Sequence, residues 1–104
     1  MDNILAVKVV SDSEEALGFI KKHTHHHTEV LVAEDVQLIE RFVNEVDAAG
    51  LMINCSSRLH DGGEFGMGAE MGTATGKLHA RGPVGVKELT TYKWIAYGNG
   101  QIRS

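Results

Sequence analysis

The stretch "EVLVAEDVQLIERFVNEVDAAGLMIN", residues 29–54, decides the fold. It opens and closes on short apolar runs that are typical of strands buried on both faces. Between these runs, four apolar residues recur at the i, i+3, i+4, i+7 spacing of a helix face: Ile39, Phe42, Val43 and Val46. A strand, a helix and another strand in this order predict a parallel β-α-β unit with a right-handed crossover.

One more strand and one more helix are predicted before this unit. The apolar run "ILAVKVV", residues 4–10, is rich in β-formers, and the helical pattern "SDSEEALGFIKKH", residues 11–23, follows it. Ser11 or Asp12 is a suitable N-cap, with a glutamate three residues further on as a capping box requires. The predicted fold class is therefore α/β, with the order β-α-β-α-β and parallel strands.

Composition limits the class of protein. The chain has 104 residues, a hydrophobic fraction of 42% and a net charge of −4, which are typical of one small globular domain. We expect no nucleic-acid partner, since no basic patch is interleaved with aromatic residues, and no membrane partner, since no apolar run approaches the roughly 20 residues of a span. The start lacks the basic region of a secretory signal, and a single cysteine suits a reducing cytoplasm.

The second half of the chain changes in character. Residues 55–82 are rich in glycine and have little periodicity, which predicts a long functional loop. Residues 90–98, "TTYKWIAYG", again form a strand pattern. We divide the chain into residues 1–88, part of a catalytic α/β domain, and residues 89–104, an oligomerisation strand with a tail. Strands buried on both faces need more cover than two helices give, so the pattern suggests a piece of a larger protein.

Two motifs carry a resemblance to a known family. The first runs from Val10 through "ALGFI" to "HTE" at residues 27–29, and the second is "FGMGAEMGTATGKLHARGPVGVKELTTYKW", residues 65–94. Both resemble the C-terminal part of γ-glutamyl phosphate reductase, also called glutamate-5-semialdehyde dehydrogenase. His25 and Leu31 depart from the first motif, where a small residue and an isoleucine are usual.

The resemblance implies a fold, a reaction and a cofactor. The fold would be that of the aldehyde dehydrogenase superfamily, in a homo-oligomeric enzyme. The reaction would be the NADPH-dependent reduction of L-glutamyl 5-phosphate, a small-molecule substrate, to L-glutamate 5-semialdehyde in proline biosynthesis, through a cysteine thioester. In the family the nucleophile and the nucleotide domain precede the matched part, so we expect no catalytic residue here and no activity or NADP binding by this chain alone.

Cys55, the only cysteine, is accordingly interpreted as structural. It ends an apolar strand, no activating base is apparent beside it, and relatives carry a small residue at this position by resemblance. A cysteine in such surroundings behaves as a small apolar residue.

Polar residues after the third strand are the substrate-site candidates. α/β sheets place ligands at the carboxyl ends of their strands, and the planar fork of arginine suits both a carboxylate and a phosphate. The candidates are Asn54, Ser56, Ser57, Arg58, Glu64 and Phe65. The alternative, equally weighted, is that Arg58 is a surface residue and that the serines cap a turn.

Three other features favour structural interpretations. The histidine tract "HTHHHT", residues 23–28, lacks a cysteine or acid to complete a metal site, so a solvated loop is favoured. The glycines at 66, 68 and 72 neither directly follow a strand nor open a helix, as a dinucleotide loop requires. Arg81 is expected to make structural hydrogen bonds rather than bind an anion. The alternative functions are a non-catalytic interaction module that pairs through residues 90–98 and a metal-binding domain.

Overall fold

The computed structural model describes residues 2–103, which form a small α/β unit with two irregular ends. The regular elements are α1 (Ser13–His23), β1 (Thr28–Leu31), α2 (Val36–Glu45), β2 (Gly50–Ile53) and a short 3-10 helix (Ser57–Leu59). β1 and β2 pair in parallel, with Thr28 opposite Gly50 and Leu31 opposite Ile53. The predicted β-α-β unit is therefore present.

Aspartate side chains begin both helices. Asp12 accepts a hydrogen bond from Glu15 N at 2.8 Å, and Asp35 accepts from Gln37 N at 2.9 Å. Each carboxylate satisfies a backbone N–H that the first turn of a helix leaves without a partner. Of the two predicted N-caps of α1, the structure uses Asp12.

The core lies where the two helices meet the sheet. Phe42 of α2 is 1% exposed and packs with Leu17 of α1 and Val46. Partly buried residues from α1 and both strands surround this cluster: Ile20, Leu31, Leu51 and Ile53. The helical spacing of residues 39–46 correctly places Phe42 and Val46 inside, whereas Val43 is 49% exposed.

The structure corrects the prediction of a first strand. Residues 4–10 have no regular secondary structure, and Leu5 and Val9 are 85% and 90% exposed. A strand forms only where a neighbour accepts and donates its backbone hydrogen bonds, and the described chain places no third strand beside β1 or β2. The confirmed part of the fold is therefore two helices on a two-stranded sheet, and not five alternating elements.

The C-terminal strand pattern is likewise not realised as a strand. Residues 91–97 have no regular structure, and Trp94 and Tyr97 are 90% and 95% exposed. The radius of gyration is 20.0 Å, against about 13 Å for a compact domain of this length. Among residues 2–103, no helix is both long enough and apolar enough to cross a bilayer.

Candidate functional site

A cavity of about 310 Å³ lies at the amino end of the two strands. His27 and Ala49, which immediately precede the paired residues Thr28 and Gly50, line it from the sheet side. The remaining walls come from the 3-10 helix exit and the glycine-rich segment: His60, residues 70–75 and residues 82–84. The cavity therefore exists only while residues 61–85, the glycine-rich segment, fold back onto the sheet.

His60 joins the sheet to the glycine-rich segment. Its Nδ1 lies 2.7 Å from Thr28 Oγ1 on β1, and its Nε2 lies 2.9 Å from the carbonyl oxygen of Gly82. A carbonyl oxygen only accepts hydrogen bonds, so His60 Nε2 carries the hydrogen and donates it. One side chain thus holds two parts of the chain that are far apart in sequence.

The absence of a side chain at position 50 makes room for this imidazole. A Cβ built on Gly50 would lie 2.6 Å from His60 Nδ1, well inside contact distance. Gly50 therefore allows the His60 ring to approach the start of β2 closely.

His27 extends the connection on the sheet side. Its Nδ1 lies 2.9 Å from Thr28 Oγ1, and its ring meets that of His60 edge to face with centroids 5.2 Å apart. Phe65 lies on another side of His60, with a centroid distance of 5.9 Å. His60 therefore has an aromatic neighbour from the loop as well as one from the sheet.

Two internal hydrogen bonds shape the glycine-rich segment. Glu70 Oε2 accepts from Gly62 N at 2.8 Å, and Val84 O accepts from Met71 N at 2.9 Å. The first closes the outgoing limb, residues 61–75, and the second ties it to the returning limb, residues 76–85. Of the residues that the structure describes, Glu70 alone brings a carboxylate to the wall of the cavity.

Asp47 anchors the returning limb from outside the cavity. Its carboxylate pairs with Lys77 Nζ at 2.6 Å and with Arg81 Nη1 at 2.8 Å. The hydrogen bond from Lys77, followed by that from Arg81, lowers the pKa of Asp47 from 3.8 to about 2. Arg81 also donates to the carbonyl oxygen of His26 at 3.3 Å, so the structural role predicted for Arg81 is confirmed.

The predicted substrate residues lie at the opposite end of the sheet. Asn54 follows β2 with a positive φ of 54°, and its amide bridges Ala33 in both directions, at 2.9 Å to N and 2.8 Å to O. Ser56 caps the 3-10 helix by accepting from Arg58 N at 3.2 Å. Ser57 and Arg58 are exposed within that helix. A substrate role for these residues stays a prediction.

Glu64 and Phe65 belong to the turn that begins the glycine-rich segment. Glu64 N donates to Asp61 Oδ1 at 3.2 Å, and the Glu64 side chain is exposed. Phe65 touches the His60 ring without lining the cavity. The six predicted residues therefore divide into a group at the carboxyl end of β2 and a pair in the following turn, of which Phe65 lies beside His60.

Sequence reasoning missed the residues that form the cavity. His60 and Glu70 follow no helical or strand period, and although Glu70 lies within the second family motif, that motif gave no role to it. Cys55 is half-buried just beyond β2. Within residues 2–103, no three His, Cys, Asp or Glu side chains converge in a way that could hold a metal ion.

The glycines at 66, 68 and 72 do not form a dinucleotide-binding turn. Gly66 and Gly68 have positive φ values of 72° and 78° inside an irregular segment that neither directly follows a strand nor opens a helix. Residues 66–72 therefore lack the strand–turn–helix context of a dinucleotide-binding loop.

Curated proteins match almost the whole chain. A gamma-glutamyl phosphate reductase of Dehalococcoides mccartyi is 55% identical over 96% of the chain, and one of Streptococcus pneumoniae is 52% identical over 99%. The chain is similar to the C-terminal part of gamma-glutamyl phosphate reductases. It spans 24% of the length of these relatives, and the predicted resemblance is confirmed.

A solved structure supports the same assignment. The crystal structure of the gamma-glutamyl phosphate reductase of Thermotoga maritima superimposes with a TM-score of 0.86 at 47% identity. The match covers 99% of this chain and 25% of that one. No family model matches the chain. The fold described above is therefore that of a segment of a gamma-glutamyl phosphate reductase.

Proposed function

We propose that the chain forms the C-terminal part of an enzyme that uses NADPH to reduce L-glutamyl 5-phosphate to L-glutamate 5-semialdehyde in proline biosynthesis. The observation that carries the proposal is identity of 52–55% to proteins named gamma-glutamyl phosphate reductase over 96–99% of the chain. The single cysteine supports a cytoplasmic enzyme.

The roles of this chain and of the rest of such an enzyme can be assigned separately. On the resemblance to the family, we assign NADP and the catalytic cysteine to the remaining three quarters of such an enzyme. Residues 1–88 would complete a catalytic domain, and residues 89–104 would add an oligomerisation strand with a tail. The exposed Tyr92, Trp94 and Tyr97 support the second assignment, since apolar patches of this kind mark contact surfaces.

Arg58 is the side chain that we assign to the substrate within the carboxyl-end group. It is exposed just beyond β2, and a guanidinium can pair with two oxygens of a phosphate or carboxylate at once. Asn54 and Ser56 would support it by fixing the backbone, since both are already hydrogen-bonded to neighbouring main chain.

Complementation tests the proposal. The chain alone should not form NADPH from glutamate 5-semialdehyde, NADP and phosphate. The chain mixed with the preceding three quarters of the Thermotoga maritima reductase should do so. Arg58→Ala should raise KM for phosphate or semialdehyde about tenfold or more, whereas Arg103→Ala, an exposed arginine in the tail, should not.

Failure of complementation would favour the other class of function. If the chain binds the larger part without restoring turnover, the interaction module that pairs through residues 90–98 becomes the better assignment. Turnover by the chain alone that Cys55→Ala abolishes would overturn the structural interpretation of Cys55.

A further inference from the structure

The hydrogen bonds around Thr28 determine where the hydrogens lie on two imidazoles. Gly82 O can only accept, so His60 Nε2 carries a hydrogen, at a distance of 2.9 Å. A neutral His60 then has a bare Nδ1, which must accept its hydrogen bond from the Thr28 hydroxyl at 2.7 Å. The only hydrogen on Thr28 Oγ1 is thereby used.

The same hydroxyl fixes His27. Because Thr28 Oγ1 has no second hydrogen to give, the contact of 2.9 Å to His27 Nδ1 requires His27 to donate. The hydrogen bonds thus run in one direction, from His27 through Thr28 and His60 to Gly82. A neutral His27 in this arrangement is the Nδ1–H tautomer, the less common one for histidine free in water.

We propose that Thr28 and His60 are positioning residues that hold His27 as the Nδ1–H tautomer and leave Nε2 as its basic nitrogen at the cavity. His27 lines that cavity together with Glu70. An imidazole nitrogen with a free lone pair and a carboxylate both accept hydrogen bonds, so the cavity suits a group that donates them, such as an ammonium or an amide N–H.

The neighbouring cations do not supply hydrogen-bond donors to the cavity. Lys77 and Arg81, which belong to the returning limb, both pair with Asp47 outside the cavity wall. Glu70 is engaged through Oε2 with Gly62 N at 2.8 Å. The positions of these hydrogens are set within the chain and do not depend on the proposed reaction.

Ring-nitrogen NMR of the chain labelled with ¹⁵N in its histidines tests the proposal at mildly alkaline pH. His60 should show the Nε2–H signature and His27 the Nδ1–H signature, with the exposed His25 as the reference for an unconstrained tautomer mixture. Thr28→Val, which keeps the shape but removes the hydroxyl, should return His27 to the mixture of His25 while His60 keeps Nε2–H through Gly82.

Thr28→Ser restores the hydroxyl and should restore the Nδ1–H signature of His27. His27 found as Nε2–H in the unsubstituted chain, or unchanged by Thr28→Val, would overturn the proposal. The spectrum of the unsubstituted chain decides the question by itself if the valine variant does not fold.

Discussion

The imidazole of His60 occupies the space that a side chain at Gly50 would need, 2.6 Å from the position of a Cβ. Gly50 at the start of β2 and His60, just before the glycine-rich segment, are therefore packed against each other. A larger side chain at position 50 would displace the His60 ring. The cavity at the amino end of the sheet depends on this fit.

Gly50→Ala should destabilise the chain, because the added methyl must displace a ring that is hydrogen-bonded at both nitrogens. Overpacking of this kind costs about 1–3 kcal/mol of unfolding free energy, measured by chemical denaturation. The matched control is Gly18→Ala in the middle of α1, where the new Cβ meets nothing within 4 Å. That variant should gain about 0.5–1 kcal/mol. Equal effects at both positions would contradict the close fit.

Asp47 should make the chain sensitive to acid. Lys77 and Arg81 lower its pKa in the folded chain to about 2, below the ordinary 3.8, so its contribution is present above that value and is lost as the pH falls through about 2. Thermal unfolding followed between roughly pH 4 and pH 2 should show a smaller decline in Asp47→Asn than in the unsubstituted chain.

Added salt and a second variant distinguish the ion pairs of Asp47 from the general effect of acid on stability. The carboxylate is exposed, so added salt should weaken its contribution. Asp2→Asn, at an exposed position without regular structure, should leave the acid dependence unchanged. Identical curves for the two variants would show that Asp47 does not anchor the returning limb.

Asn54→Ala should lower the free energy of unfolding by about 1–3 kcal/mol, because alanine is strained at a φ of 54° and cannot bridge Ala33. Asn54→Gly relieves the strain without restoring the two hydrogen bonds, so its stability should fall between alanine and asparagine. If the alanine variant is as stable as the unsubstituted chain, the amide is not structural and a role in binding substrate gains support.

The chain should associate through its C-terminal segment. Trp94 is 90% exposed and packs edge to face with Tyr92, at 5.8 Å between centroids, so an exposed aromatic surface is available to a second chain. Light scattering should show a dimer or larger species, and Trp94 fluorescence should shift to the red on dilution. Trp94→Glu should favour the monomer, while Leu78→Glu, equally exposed elsewhere, should not. A monodisperse monomer at high concentration would contradict this.

Sequence correctly predicts the two helices and the β-α-β unit, which are stabilised by contacts within the chain. Helical spacing placed Phe42 and Val46 inside, and the aspartate caps are local hydrogen bonds that a short stretch of sequence specifies. Residues 4–10 are equally apolar. Such a pattern predicts that a segment is buried, but it does not identify the strand or helix that covers it. The described chain places no strand beside them, so the predicted first strand is not formed.

The cavity could not be predicted for a different reason. Its main connection joins Thr28 to Gly82 through one imidazole, across a sequence separation that no periodicity spans. The need for glycine at position 50 could not be predicted either, because the ring that requires it comes from a residue distant in sequence. The tendency of α/β sheets to bind ligands at the carboxyl ends of their strands directed attention to Asn54 and Arg58, which do lie beyond β2. It says nothing about the amino end of the sheet, where the cavity lies.

Within residues 2–103, the sheet consists of β1 and β2 alone, and no further strand pairs with either of them. A strand that borders a sheet usually carries lysine, proline or a bulge that discourages further pairing, yet β1 and β2 together, "TEVL" and "GLMI", contain none of these. Glu29, their only charged residue, is engaged by Thr24 at 2.6 Å. The composition of both strands is therefore typical of central strands in a wider sheet. A designer could insert the unit between two strands of another protein without first removing a lysine or proline from its edges.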